Sequence, residues 1–360
     1  MKIIVSFIVC LTSLSWANSQ TINDIKNDSI DAVIKKEAEV FMNSKGAVGV
    51  SIGLIKNGLF HAYNYGSIQK DALKKPTENT LFLIASITKT FTGLLLATAV
   101  VENKVKLDDD IRKYLDGDYP NLEYDGHPIQ LYHLISHVSR LPFFLSERAE
   151  KPDYTRADFY SDLHNVKLDM TPGVKFQYSN AAAQLLGFIL EKVYHKTYEE
   201  LLAAKITHPL KMKNTKIKIG PGEKSPIAKA YNEDGSYNPE MYNYMQAAGG
   251  IKSTTQDLLN YILWQMNEKD SAVLLSHNES WGFDMGNNTH YSYALGWQIV
   301  KKENGLRRIS QDGNLPNGSS VIIFCPELKT GIVILSNTYL PDAVSKTADN
   351  ILKQVEPRMP

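Results

Sequence analysis

The chain has 360 residues, 43% of them hydrophobic and 22% charged, the make-up of a globular protein with a sizeable core. Its 39 Lys and Arg balance 39 Asp and Glu, which argues against a nucleic-acid binder or an electrostatically held membrane protein. Two cysteines, Cys10 and Cys325, exclude a disulfide scaffold and any four-cysteine metal site.

Met1-Lys2, an apolar run over residues 3–14, and small residues at Ala17 and Ser19 predict a secretory signal, residues 1–19, cleaved before Gln20. The run is shorter than the roughly 20 residues of a spanning helix, and no later segment reaches that length. The expectation is an exported chain, periplasmic or secreted, with no integral membrane segment. Cys10 leaves with the signal, and Cys325, inside an apolar run, is a buried packing residue.

Residues 47–55 and 59–65, separated by Asn57-Gly58, predict a β-hairpin, because Asn-Gly supplies the positive φ angles of a two-residue turn. Residues 86–101 predict a buried helix. Residues 107–218 are helical in pattern, broken at Pro120, Pro128, Pro142 and Thr171-Pro172-Gly173. One of these helices covers residues 179–194, with Ser179 as its cap. Residues 220–244 read as an irregular surface loop. Strand patterns return at 291–300, 306–310, 319–324 and 332–336, and a helix over 343–354 ends the pattern. This order predicts an α/β (α+β) fold: a central antiparallel sheet flanked by helices, formed from both chain ends, with an inserted all-helical region. Residues 20–360 form one domain, its α/β part covering about 30–102 and 245–360 and its helical insert about 103–244.

Chemistry enters at Ser86-Ile87-Thr88-Lys89, at the start of the buried helix. Residues three apart share a helix face, so Lys89 stands beneath Ser86. A buried ammonium sheds its proton readily and can then take the serine proton. The helix start also offers unpaired backbone N–H groups to a developing negative charge. A second match, Ser67-Ile68-Gln69-Lys70, leads into a polar loop with no helix to align the pair and reads as surface. Tyr178-Ser179-Asn180 adds a tyrosine, which beside a lysine can be a phenolate or share its proton, and an amide that can meet a substrate carbonyl. Gly49-Val50-Ser51-Ile52-Gly53 spells a nucleophile elbow but falls inside the first hairpin strand. His133 and His137 have the spacing of a zinc pair but lack a third ligand, so packing is the expectation. Asp108-Asp109-Asp110 reads as a helix start, and the tyrosines of 231–244 as a packed loop or the lining of a cleft.

Together these motifs resemble the active-site serine family that includes class C β-lactamases, D-alanyl-D-alanine carboxypeptidases and related esterases. The resemblance runs over residues 47–337. It includes Leu134-Ile135-Ser136-His137-Val138-Ser139-Arg140-Leu141-Pro142, Gly249-Gly250-Ile251-Lys252-Ser253-Thr254-Thr255-Gln256-Asp257 and Tyr293-Ala294-Leu295-Gly296-Trp297. It implies that Ser86 is the nucleophile, that Lys89 and Tyr178 handle its proton, and that Asn180 touches substrate. The family's third motif is Lys or His, any residue, then Gly, on a strand beside the serine. Lys329-Thr330-Gly331 spells it but falls in the turn before the last strand. Counting back from Pro326 places the motif at Gln311-Asp312-Gly313, which leaves two strands after it. The oxyanion would then rest on the backbone N–H groups of Ser86 and Asn314.

Gln311 departs from the family, which places a cation there to hold a substrate carboxylate. The neutral amide forgoes a contact worth about 1.5–3 kcal/mol, and Arg307 and Arg140 are candidates to compensate. The resulting expectation is a serine hydrolase that forms a Ser86 acyl-enzyme on an ester, amide or β-lactam of a small molecule or peptide, with no cofactor and no metal. The alternatives are a strict carboxypeptidase or class C-type β-lactamase, and a non-catalytic sensor or binding protein on the same fold.

Overall fold

The computed structural model describes residues 29–238 and 245–356, so residues 1–19 lie outside it. Eight antiparallel strands form the main sheet in the order β2-β1-β12-β11-β10-β9-β8-β7. Strands β1 (Gly49–Lys56) and β2 (Leu59–Gly66) come from the early part of the chain. The late part supplies β7 (Trp281–Gly286), β8 (Thr289–Tyr293), β9 (Gln298–Lys302), β10 (Arg307–Leu315), β11 (Gly318–Cys325) and β12 (Thr330–Ser336). Asn57 (φ +52°) and Gly58 (φ +79°) make the expected hairpin turn between β1 and β2.

The central strands β1, β11 and β12 are buried on both faces because helices cover both sides of the sheet. On one side, Val50, Ile52 and Leu54 of β1 meet Ile34, Ala38 and Phe41 of α1 (29–42) and Val344, Ala348 and Ile351 of α10 (Pro341–Val355). The opposite face, with Ile322, Phe324, Val333 and Leu335, joins the larger core, to which α2 (Thr88–Val101), α8 (Thr255–Asn267) and α9 (Ser271–Ser276) contribute. Nearly all of α2 is buried, so it packs against neighbours all round. Cys325 is a buried free thiol.

Between the two sheet-forming parts lie α3 (Leu131–Ile135), α4 (Arg156–Asn165), α5 (Asn180–Tyr194) and α6 (Tyr198–Leu202). One short strand pair, β4 (Glu123–Tyr124) with β5 (His127–Pro128), precedes them, so the insert is not all-helical. Ser179 caps α5, its hydroxyl accepting from Ala182 N at 3.0 Å. Helix α7 (Gln246–Gly249) and the short strand β6 (Lys252–Ser253) bring the chain back to the sheet, where β6 pairs with β3 (Phe82–Leu83) directly before Ser86.

Strand β7 has no counterpart in the sequence pattern. It is a sheet-edge strand, largely exposed and broken by Gly282 and Gly286, so it shows no apolar alternation.

Candidate active site

Ser86 sits in a single 3-10 turn, Ala85–Ile87, that leads into α2. The turn is held from two sides: Ile84 N donates to Ile251 O at 3.0 Å, and Ser320 Oγ donates to Ile84 O at 3.0 Å. Ala85 takes φ +46°, an unusual angle for a residue with a side chain, just before the serine.

One turn after Ser86, Lys89, the second residue of α2, is fully buried. Its Nζ lies 3.0 Å from Ser86 Oγ, 2.7 Å from Asn180 Oδ1 and 2.7 Å from Ala248 O. Burial pushes the ammonium down to about 7, with the Asp312 carboxylate opposing part of that effect. The hydrogen count is informative. As an ammonium, Nζ has three N–H groups for these three oxygens; as a neutral amine it keeps two and has a lone pair for the Ser86 hydroxyl.

Tyr178 donates its hydroxyl to Ser86 Oγ at 2.8 Å. Its ring lies 4.9 Å from Lys89 Nζ and 4.1 Å from the His137 ring. Burial first, and Asp312 with it, raises the phenol above its ordinary value despite the opposing Ser86 bond. That direction opposes the phenolate expected as one possibility from the sequence. Asn180, the first residue of α5, is buried and holds Lys89 through its carbonyl oxygen.

Strand β10 forms the other wall. Gln311 Nε2 lies 3.5 Å from Ser86 O, and a Cβ on Gly313 would fall 2.2 Å from Ile84 O, so only glycine lets the strand lie this close. The hairpin β10–β11 closes on the pair Leu315 and Gly318. In the alternation of an antiparallel ladder, Asn314 therefore falls in a non-hydrogen-bonded pair, and its N–H points away from β11. On that edge β9 pairs only as far as Ser310, so the edge beside Asn314 is uncovered. The Asn314 side chain donates to Asp312 Oδ2 at 2.7 Å.

Ser86, Lys89, Tyr178, Asn180, Gln311, Gly313 and Asn314 thus meet in one place, from three separate stretches of chain. The two cations proposed to replace a charge at Gln311 do not. Arg307 bonds Glu268 at 2.7 and 2.8 Å and Glu327 at 2.7 Å, and Arg140 bonds Asp169 at 2.7 and 2.9 Å. Each guanidinium is held by carboxylates, so neither is available to a substrate.

Lys329 lies in the β11–β12 turn with φ +49°, as counting back from Pro326 required. Ser51 bonds Asn64 within the β1–β2 hairpin, and Ser67 caps its own loop through Ala72 O and Lys74 O. His133 Nδ1 accepts from Gln130 N at 3.0 Å, a helix cap, and among the described residues no group of three metal-ligating side chains occurs. Asp110 caps the short turn Ile111–Tyr114. Tyr231 is packed and accepts from Lys70 N, while residues 239–244 lie outside the described part.

Sequence reasoning missed three contributors. Ala248 serves through its carbonyl, which no side-chain pattern records. His137 accepts from Ser179 N at 3.2 Å and stacks on Tyr178, so it orients the phenol. Gln298, from β9, donates to Gln311 Oε1 and Asp312 Oδ1 and steadies the strand.

A family model described as Beta-lactamase matches residues 32–356. The chain belongs to the beta-lactamase family. Similar proteins include Protein flp of Staphylococcus aureus strain N315, 30% identical over 344 residues that cover 89% of this chain and 66% of that protein. Protein flp of strain MRSA252 is 29% identical over the same shares. A Beta-lactamase of Pseudomonas fluorescens is 26% identical over 362 residues, 91% of this chain and 99% of its own. The chain thus spans just under two thirds of the flp proteins and nearly the whole of the Pseudomonas enzyme. Its fold is that of a beta-lactamase-family serine hydrolase. No helix among the described residues is long and apolar enough to cross a membrane.

Proposed function

We propose that this beta-lactamase-family protein is an exported hydrolase that cleaves an ester or amide through a Ser86 acyl-enzyme. The observation that carries the reading is the bonding of Lys89. Its Nζ donates to Ser86 Oγ, Asn180 Oδ1 and Ala248 O, and on losing one proton it keeps the last two bonds and turns a lone pair to the Ser86 hydroxyl. Ser86 Oγ attacks the carbonyl carbon as its proton passes to Lys89. The carbonyl oxygen, now negative, rests on the N–H groups of Ser86 and Asn314. Tyr178, protonated and 2.8 Å from Ser86 Oγ, delivers a proton to the leaving group. The Lys89 ammonium then gives up the proton it took, which restores the Tyr178 phenol and the neutral amine; water attacks the acyl-enzyme, losing its proton to Lys89, and that proton passes to Ser86 Oγ as the acyl bond breaks.

Gln311 is neutral and Arg307 and Arg140 are taken up by carboxylates, so none of the three supplies a cation to hold a carboxylate beside the scissile bond. That favours a substrate lacking one over the free carboxylate of a penicillin or a terminal D-alanine. The same missing charge is the one observation on the side of a non-catalytic binding protein.

Labelling with a fluorophosphonate and with a fluorescent penicillin, read by intact mass, tests the proposal. The expected result is a phosphonate adduct that Ser86→Ala abolishes, and weak penicillin labelling. No adduct on Ser86 with either reagent would overturn the hydrolase reading and favour the binding protein.

A further inference from the structure

The reaction scheme gives no task to one charge that stands inside the site. Asp312 lies between Gln311, whose amide meets Ser86 O, and Gly313, which packs on Ile84 O. Its oxygens accept only from neutral amides, Gln298 Nε2 at 3.1 Å and Asn314 Nδ2 at 2.7 Å. Among the described residues it forms no ion pair. Gln298 is anchored in turn by the Tyr291 hydroxyl at 2.9 Å, so the carboxylate is held on a braced frame. Asp312 is only partly buried, and its charge reaches Lys89, Tyr178, Tyr291 and Tyr293.

Aromatic rings continue from this carboxylate to the surface. Tyr291 and Tyr293 lie 5.4 Å apart, and Tyr293 stacks on Phe176 at 4.3 Å. Phe283 lies 5.4 Å from Tyr291, and its side of the wall is open to solvent. Ring faces attract cations, and a carboxylate without a counter-ion attracts them more strongly. A substrate carboxylate placed here would meet like charge instead.

We propose that Asp312 is a specificity-determining residue that selects substrates bearing an ammonium group near the scissile carbonyl, held between its carboxylate and the Tyr291 and Tyr293 rings. The inference rests on the hydrolase reading above and names the substrate class of the same site.

Charge can be isolated with isosteric substrate pairs. One pair varies the acyl group: p-nitrophenyl 4-(trimethylammonio)butanoate against p-nitrophenyl 5,5-dimethylhexanoate. The other varies the leaving group: acetylthiocholine against S-(3,3-dimethylbutyl) thioacetate. In the wild-type protein the cationic member of at least one pair should have the higher kcat/KM, by about tenfold. The ratio should shrink as salt rises from about 10 mM to about 500 mM, because the attraction is screened. Asp312→Asn should bring that ratio below about twofold whatever its absolute rate, and Asp312→Glu should retain it. A ratio of one or less in both wild-type pairs overturns the inference, as does a ratio that Asp312→Asn leaves intact. Failure of the underlying reading would look different: no member of either pair hydrolysed, and no acyl adduct on Ser86.

Discussion

The two walls of the site are built on opposite principles. On the helical side, Ser86, Lys89, Tyr178 and Asn180 are locked into bonds with one another, and Lys89 and Asn180 are deeply buried. On the strand side, β10 presents a neutral amide, a glycine, and a carboxylate that among the described residues forms no ion pair. Burial is what makes the first wall reactive, since a desolvated lysine gives up its proton near neutrality. The second wall is partly open, so its charges act on whatever enters. On the proposed reading the pairing separates chemistry from selection: bond-breaking is assigned to the core, and choice of substrate to the free end of one strand.

The sharpest way to break that division is to remove the base and keep its charge. Lys89→Arg cannot deprotonate near neutral pH and should lower ester kcat/KM about 10³-fold or more, measured by steady-state hydrolysis. In the wild type, protonated Lys89 is inactive, so kcat/KM should rise with pH through a midpoint near 7 as the buried ammonium loses its proton. An acid limb in the carboxylate range, near 4, would assign the base elsewhere.

Gly313→Ala tests whether the strand takes part in chemistry as well as selection. Its new Cβ would fall 2.2 Å from Ile84 O and 2.5 Å from Ser320 Oγ, which forces β10 away from the serine turn. Moving the Asn314 N–H should cost about 10²–10³ in kcat. The crowding should also lower the melting temperature by a few degrees in a thermal scan. Unchanged kcat would confine β10 to selection.

The smallest effect belongs to Gln311→Lys. An ammonium beside Asp312 should hold a substrate carboxylate and speed labelling by a fluorescent penicillin about tenfold. If labelling does not change, the missing cation is not what turns penicillins away.

Much of this was legible in the chain. The helix over 179–194 and the Asn57-Gly58 hairpin follow from caps, turn residues and apolar spacing, all local properties. Ser86 and Lys89 share one helix start, so their pairing was also local. Strand β7 was missed because an exposed edge carries no burial pattern, and Ala248 because a backbone carbonyl leaves no mark on residue type. Arg307 and Arg140 had suitable types and plausible positions, but their carboxylate partners lie 20 to 39 residues away along the chain.

By itself, then, the sequence determined most of the layout of helices and strands, the pairing of Ser86 with Lys89, and the neutral side chain at Gln311. Only the tertiary structure decided which groups touch. It showed that burial raises the Tyr178 phenol, that two arginines are taken up by carboxylates, and that Asp312 bonds only neutral amides. The reason is physical. Local propensities act over a few residues, whereas desolvation and charge pairing depend on what the folded chain brings within a few ångströms.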